Sequence, residues 1–340
     1  MPRLSHTFDI TPVEREVVTE TVDAAYEVAR SCRFDGRGWL LLPDEETQKV
    51  LRSRAGHLGI IDPEVAERLH EERREAAERL RQGVPSPERA EELAVGAATL
   101  ALQLQSGLHL APRSHYLVAE LSPEGVPLEP ADEDKGWSGT GLTITSWKET
   151  VTSVDFAMPD SRGTKDPPVT SGTVVHDTGA ARLTGTVRIQ LPGRGAWLRT
   201  ATGTVTVDTD AWYTALDGGG DGTPPALVEA DHRLMRIRAW LAPTRDTDGR
   251  WAVEAALDVR GRGVYRPVVA VMLWTLRSSI RRSESKSARR GDGEPTMRER
   301  LYHQGRAWDR IARNAPYLPD YLREVARALS GAAPDQRPHL

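Results

Sequence analysis

Residues 235–261 read MRIRAWLAPTRDTDGRWAVEAALDVRG. Met235, Ile237, Ala239 and Leu241 alternate with Arg236, Arg238 and Trp240. After the Asp248-Gly249 turn, Trp251, Val253, Ala255, Leu257 and Val259 alternate with Glu254, Asp258 and Arg260. Successive side chains of a strand point to opposite faces, so a period of two gives each strand one apolar face. Two such runs joined by a glycine-containing turn read as neighbouring antiparallel strands.

The pattern extends upstream. Leu183, Val187, Ile189 and Leu191 alternate with Arg182, Thr184, Thr186, Arg188 and Gln190. Trp197, Ala201, Val205 and Val207 alternate with Thr200, Thr202, Thr204 and Thr206, and Pro192-Gly193 lies between the two runs. Weaker strand signals cover Tyr116–Leu121, Leu142–Trp147, Val151–Met158 and Thr173–His176. Eight strands suffice for a strongly curved antiparallel sheet or barrel over residues 114 to 264. Downstream, Gly261-Arg262-Gly263 ends the sheet. Tyr265-Arg266-Pro267 then opens an apolar helix, Val268–Ile280, expected on the sheet's concave face.

Before residue 114 the period is helical. Thr11-Pro12-Val13-Glu14 reads as a capping box with proline at the first helical position, and Val17, Val18, Val22, Ala25, Tyr26 and Ala29 follow at helical spacing. Trp39-Leu40-Leu41-Leu42 reads as a short buried strand stopped by Pro43, and Asp44 caps a helix through about Arg54. Asp62-Pro63 and Ser86-Pro87 repeat the start signal. The first opens a charged surface helix, and the second a helix that turns apolar over Leu93–Leu104 and is expected to be buried. The fold class is therefore α+β. A mainly helical region spans 1–110 and a sheet with its closing helix 114–282. A mobile loop (283–295), C-terminal helices (296–330) and a disordered tail (331–340) follow.

A net charge of −4 across 340 residues argues against a nucleic-acid binder held by phosphate contacts. Of 45 basic residues only five are lysine, a bias pointing to a GC-rich, actinobacterial type of source. Cys32 is the sole cysteine, which fits a reducing, cytoplasmic setting. Met1–Ile10 does not read as a signal peptide, and neither Leu93–Leu104 nor Val268–Leu276 approaches the ~20 residues of a membrane span. No phosphate loop, dinucleotide fingerprint or metal-ligand spacing stands in the chain, so no cofactor and no metal is expected.

Leu257-Asp258-Val259-Arg260-Gly261-Arg262-Gly263, followed by Tyr265-Arg266-Pro267-Val268, resembles the closing unit of the START and polyketide-cyclase superfamily, the helix-grip fold. The resemblance covers residues 251–282. It implies an apolar cavity between sheet and helix that holds a lipid, a polyketide or a similar ligand. A lipocalin-like barrel carries a similar strand pattern.

Four polar residues are candidates for proton transfer. Asp155 lies among Val154, Phe156 and Met158, and His176 ends a strand beside Asp177. Glu229 and Asp231 are placed by alternation on the face of Met235 and Ile237. Against this, His176-Asp177 is also ordinary turn chemistry before Gly179, and Glu229 and Asp231 also suit the solvated end of a strand. Trp147, Trp197, Trp240 and Tyr213 are candidate cavity walls, with Arg238 as a polar contact, although indoles equally fill a core. Arg277, Arg281, Arg282, Lys286, Arg289 and Arg290 form a basic run suited to an anionic lipid headgroup, an acyl-carrier protein, nucleic acid or plain solvation.

These observations predict a protein that binds a hydrophobic small molecule and assists its cyclisation or another cofactor-free conversion in secondary metabolism. The competing class is an interaction protein that uses its amphipathic helices to bind a partner or a second copy.

Overall fold

A computed structural model describes residues 3–61, 63–82, 99–121, 139–159, 169–190, 200–220, 222–246, 248–263 and 297–331. Eleven strands stand among them: β1 Arg3–Ile10, β2 Thr99–Ser106, β3 His115–Leu121, β4 Gly139–Trp147, β5 Val151–Pro159, β6 Val169–Asp177, β7 Arg182–Gln190, β8 Thr200–Asp208, β9 Ala226–His232, β10 Met235–Arg245 and β11 Trp251–Gly261. The helices are α1 Arg15–Ser31, α2 Glu45–His57, α3 Pro63–Arg81, α4 Thr209–Leu216, α5 Met297–Asn314 and α6 Leu318–Gly331. The fold is α+β, as the periodicity indicates.

The strands follow one hydrogen-bonded order, β1-β11-β10-β9-β8-β7-β6-β5-β4-β3-β2. Every register defined among the described residues is antiparallel. Apart from β1, sequence neighbours are sheet neighbours, and antiparallel neighbours need no long crossover. The sheet has eleven strands rather than eight and is open, with β1 and β2 at its ends.

Three strands separate this sheet from the sequence reading. β1 alternates Leu4, His6, Phe8 and Ile10 with Ser5, Thr7 and Asp9, and pairs with β11 from Arg3↔Asp258 to Ile10↔Trp251. β2 corrects the expected buried helix over Leu93–Leu104: Thr99–Ser106 is extended and paired with β3. Apolar density alone does not separate a buried helix from a strand. The period of two in Leu100, Leu102 and Leu104 does, and Leu100 is 69% exposed. The third, β9, contains Glu229 and Asp231 within a paired strand rather than at the solvated end of one. The helix over Val268–Ile280, the loop over 283–295, the basic run and the tail lie outside the described residues.

The chain divides into two compact units. The first comprises Met1–Pro12, Glu149–Val151 and Gly172–Arg313. In it, α5 packs on β1: Trp308 meets Phe8 edge to face with ring centroids 5.8 Å apart. A Cβ at Gly305 would come within 3.1 Å of the Phe8 Cβ, so this close approach relies on glycine. Beside it, the Thr11 N–H and hydroxyl donate to Asp309 Oδ1 at 2.8 and 2.9 Å, and Arg250 Nη2 donates to the same oxygen at 3.0 Å. Thr11 is thereby diverted from the expected capping box. The helix starts three residues later at Arg15, and its N-cap, Glu14, makes no side-chain cap bond.

The second unit comprises Val13–Lys148, Thr152–Ser171 and Asn314–Leu340. α1 packs along α6, with Ala24, Ala326 and Leu329 buried, and Arg33 Nη1 donates to the Ser330 carbonyl at 2.9 Å. Asp44 caps α2 by accepting from the Thr47 N–H at 2.8 Å, as its sequence indicates. Trp39-Leu40 is reduced to isolated bridges that cover the outer edge of β2: the Leu40 N–H donates to Leu102 O at 2.8 Å and the Leu104 N–H to Gly38 O at 2.7 Å. Gly38 has φ +82°, and a Cβ there would lie 2.2 Å from the Leu104 oxygen. Covering an edge in this way removes a template for unwanted pairing.

The Asp309 cluster leads to a stability prediction. Asp309→Ala strands the Thr11 donors and the Arg250 guanidinium, and lowers unfolding free energy by about 2 kcal/mol. A urea midpoint that falls at unchanged slope is the expected readout. An unchanged midpoint would show that α5 is held on β1 by apolar packing alone.

Candidate functional site

Residues directly opposite in an antiparallel pair share a face, so the registers of β7 to β11 sort every side chain. One face carries Thr184, Thr186 and Arg188, Thr202, Thr204 and Thr206, Leu227, Glu229 and Asp231, Arg236, Arg238 and Trp240, and Glu254, Asp258 and Arg260. The other carries Leu183, Val187 and Ile189, Ala201, Val205 and Val207, Ala226, Val228, Ala230 and His232, Ile237, Ala239 and Leu241, and Val253, Leu257 and Val259.

This corrects the placement of Glu229 and Asp231 beside Met235 and Ile237. Glu229 pairs with Arg238, Asp231 with Arg236, and Ile237 with Ala230. Counting alternation straight through the Arg233-Leu234 turn assumes a chain that stays extended, and the turn inverts the parity. Both carboxylates lie on the polar face with occupied oxygens. Glu229 Oε1 sits 2.9 Å from both Arg236 Nη2 and Arg238 Nε, and Asp231 Oδ2 sits 2.7 Å from Arg262 Nη2. Asp258, only 8% exposed, pairs with Arg260 Nε at 2.6 Å. Trp240 belongs to this polar face, opposite Leu227 and Ala256.

The apolar face is covered at one end. Trp212 and Tyr213 of α4 meet Trp251 with ring centroids 6.1 and 5.8 Å apart, and Trp251, Val253 and Leu216 are buried. Tyr213 is thus packed against β11. Over β7 to β9 the same face is open: Leu183 is 41% exposed, Val205 36%, Val207 37% and Val228 42%. The register makes these residues contiguous through Leu183↔Val207 and Val205↔Val228. Gly185, Gly203, Ala201, Ala226 and Ala230 lie between them and keep the surface low. His232, opposite Ala201, is the titratable group that shares this face on β7 to β9. Its Nδ1 accepts from the Leu234 N–H at 3.3 Å.

The remaining candidates lie elsewhere. His176 is half-buried on β6 of the first unit. Asp155, in the second unit, stands opposite Thr143 on β4, whose hydroxyl is 2.6 Å from His115 Nδ1. Trp147 of that unit packs on Tyr26 of α1 at 5.4 Å. Trp197 lies outside the described residues. Glu229, Asp231, Arg238 and Trp240 therefore come together, but on the face opposite the open apolar strip. His232 and His115 were passed over. His232 was legible once β9 was recognised as a strand, because its parity matches Val228 and Ala230. Burial pushes the Cys32 thiol up, away from the reactive thiolate. Among the described residues no cluster of His, Cys, Asp or Glu has metal-ligand geometry.

Comparison of the chain with protein-family models, with curated proteins and with solved structures gives no match.

Asp208 positions α4 over the covered end of the apolar face. Its Oδ1 accepts from the Ala211 N–H at 2.8 Å as the helix N-cap, and its Oδ2 pairs with Arg182 Nη2 at 2.6 Å. Burial pushes this carboxyl up, but the Ala211 amide and the Arg182 guanidinium outweigh it, and the balance lies below the usual carboxylate value. A depressed folded-state value means stability present above the unfolded value of about 3.9 and lost as pH falls through the lower folded value. Asp208→Asn keeps a capping oxygen and flattens that acid limb of the stability profile. Asp208→Ala costs about 1 kcal/mol at neutral pH as well. Urea unfolding of both variants from pH 7 to pH 3 separates the two contributions.

Proposed function

We propose that the chain binds a hydrophobic small molecule, polyketide-, terpenoid- or lipid-like, along the open apolar strip of β7 to β9. The observation that carries this reading is the contiguous exposure of Leu183, Val205, Val207 and Val228, each more than a third exposed, beside a covered stretch of the same face. Exposed apolar patches of this kind mark ligand or partner sites. The resemblance of residues 251–282 to helix-grip proteins points to the same class of ligand. In a cofactor-free conversion, His232 is the group placed to move a proton on that strip. Glu229 and Asp231, facing the other way and held by arginines, would fix the strand pair instead.

Covering about 100 Å² of apolar surface is worth roughly 2.5 kcal/mol. Val205→Glu and Val228→Glu are therefore expected to weaken binding of a fluorescent polyene fatty acid at least tenfold. Thr204→Glu, on the opposite face, leaves it unchanged. His232→Gln keeps binding and abolishes turnover of any converted ligand. Equal binding by all three glutamate variants would remove the strip from consideration.

A second reading has its own observation. Trp308 and Ile311 of α5 are 39% and 40% exposed, and an exposed tryptophan on a helix is a common interface anchor. On that reading the protein binds a partner or itself. Sedimentation that changes with concentration, and is abolished by Ile311→Asp, would favour it over the ligand reading.

A further inference from the structure

In the second unit, α1, α2 and α6 leave between them a cleft of about 750 Å³, lined by Glu27, Arg30, Arg54, Asp320, Arg323 and Arg327. Helical spacing explains the convergence. Glu27 and Arg30 are three apart on α1, and Asp320, Arg323 and Arg327 fall at i, i+3 and i+7 on α6, one stripe of that helix. Arg54 comes from the last turn of α2. Ala326, buried, contributes a small side chain to the same lining and keeps the space open.

Four guanidinium groups and two carboxylates line the cleft, and Glu324 and Glu20 stand beside Arg54 and Arg323, so the positive charge without an ion-pair partner is that of Arg30 and Arg327. The local positive excess sits in a concavity, where field lines concentrate. Two of the four arginines are engaged: Arg54 pairs with Glu324, and Arg323 lies 3.3 Å from Asp320 and 3.9 Å from Glu20. These are solvent-screened pairs worth about 0–1 kcal/mol each, so an incoming anion exchanges with them at little cost. The other two lack such partners. Arg30 lies over the Tyr26 ring at 6.0 Å, and Arg327 Nε donates to the Arg323 carbonyl at 3.4 Å. Among the described residues no carboxylate stands within ion-pair distance of either.

From this arrangement we infer that the cleft is a binding site for a phosphorylated small molecule of nucleotide or sugar-phosphate size. Guanidinium forks match phosphate oxygens two by two. A multiply charged phosphate ester matches the two arginines that lack carboxylate partners better than a single carboxylate does. The volume falls in the range of small-molecule sites and exceeds what a single inorganic anion fills. Arg30 and Arg327 supply the donors that contact the phosphate, with Arg54 and Arg323 recruited from their pairs. The site is independent of the apolar strip, and neither reading requires the other.

Isothermal titration of the full chain with pyrophosphate and with adenosine triphosphate at low salt tests this. Binding is expected for both, weakening more than fivefold between 20 and 200 mM salt, as a charge-held anion requires. Arg30→Gln with Arg327→Gln lowers affinity at least tenfold. These side chains are exposed, so the variant keeps the circular dichroism and melting temperature of the parent. Arg79→Gln, an exposed arginine of α3 paired with Glu75, leaves binding unchanged and serves as the charge control. Titration against vesicles with and without phosphoinositide separates a free phosphate ester from a lipid headgroup, the other source of the same chemistry. Absence of binding to either soluble probe and to the phosphoinositide vesicles overturns the inference. So does binding that survives in the double variant, or that falls equally in Arg79→Gln.

Discussion

Antiparallel register is the constraint on which the surface chemistry of this sheet depends. Once β9 is set on β10 with Glu229 opposite Arg238, every residue from β7 to β11 is assigned to a face, because side chains alternate and cross-strand partners agree. A slip of one residue would drive Glu229, Arg236 and Arg238 onto the face that Trp251 and Val253 fill. Burying those charges without partners is far more costly than any single pairing is worth. The ion pairs that cross from β9 to β10, Glu229 with Arg236 and Arg238, therefore act less as a source of net stability than as a check on register, since they form across the two strands only in this alignment.

The pairing of β1 with β11 joins the two ends of the first unit and depends on the same alternation. Leu4, Phe8 and Ile10 take the apolar face beside Leu257, Val253 and Trp251. The bond set around Asp309 then ties the end of β1 to α5 and to the start of β11, so strand, helix and hairpin meet at one carboxylate. The second unit is organised differently, with α1 against α6. In it His109 Nε2 donates to the Ala29 carbonyl at 2.8 Å, which leaves Nδ1 to accept from the Tyr116 hydroxyl at 2.8 Å. The same hydroxyl oxygen accepts from the Leu110 N–H at 2.8 Å. Each polar atom of that trio has a partner, as burial demands.

Much of this was legible in the residues. β7, β8, β10 and β11 follow from strict alternation, and α2 and α3 start where Asp44 and Pro63 place them. What escaped did so for identifiable reasons. β2 hides in an apolar run whose density resembles a buried helix, and only Leu100, Leu102 and Leu104 carry the shorter period. β1 alternates clearly, but its partner lies some 250 positions away, and no local signal names it. Thr11 carries a valid capping signature that a distant acceptor, Asp309, outcompetes. The site was legible only in part: residue types on β9 and β10 were readable, but their side of the sheet was set by a turn whose geometry the sequence does not state. The arginine cleft joins three helices remote in sequence and has no linear signature.

The strand order also has a consequence for biosynthesis. From β3 onward each strand pairs with the one made just before it, so the sheet can grow strand by strand as the chain emerges from the ribosome. β1 is the exception, translated first among these strands and paired with the one translated last. At roughly 5–20 residues per second, it waits on the order of tens of seconds for β11. During that interval the backbone N–H and C=O groups of this short amphipathic segment are served by water rather than by a neighbouring strand. Order of synthesis and order of assembly run in opposite directions for these eight residues.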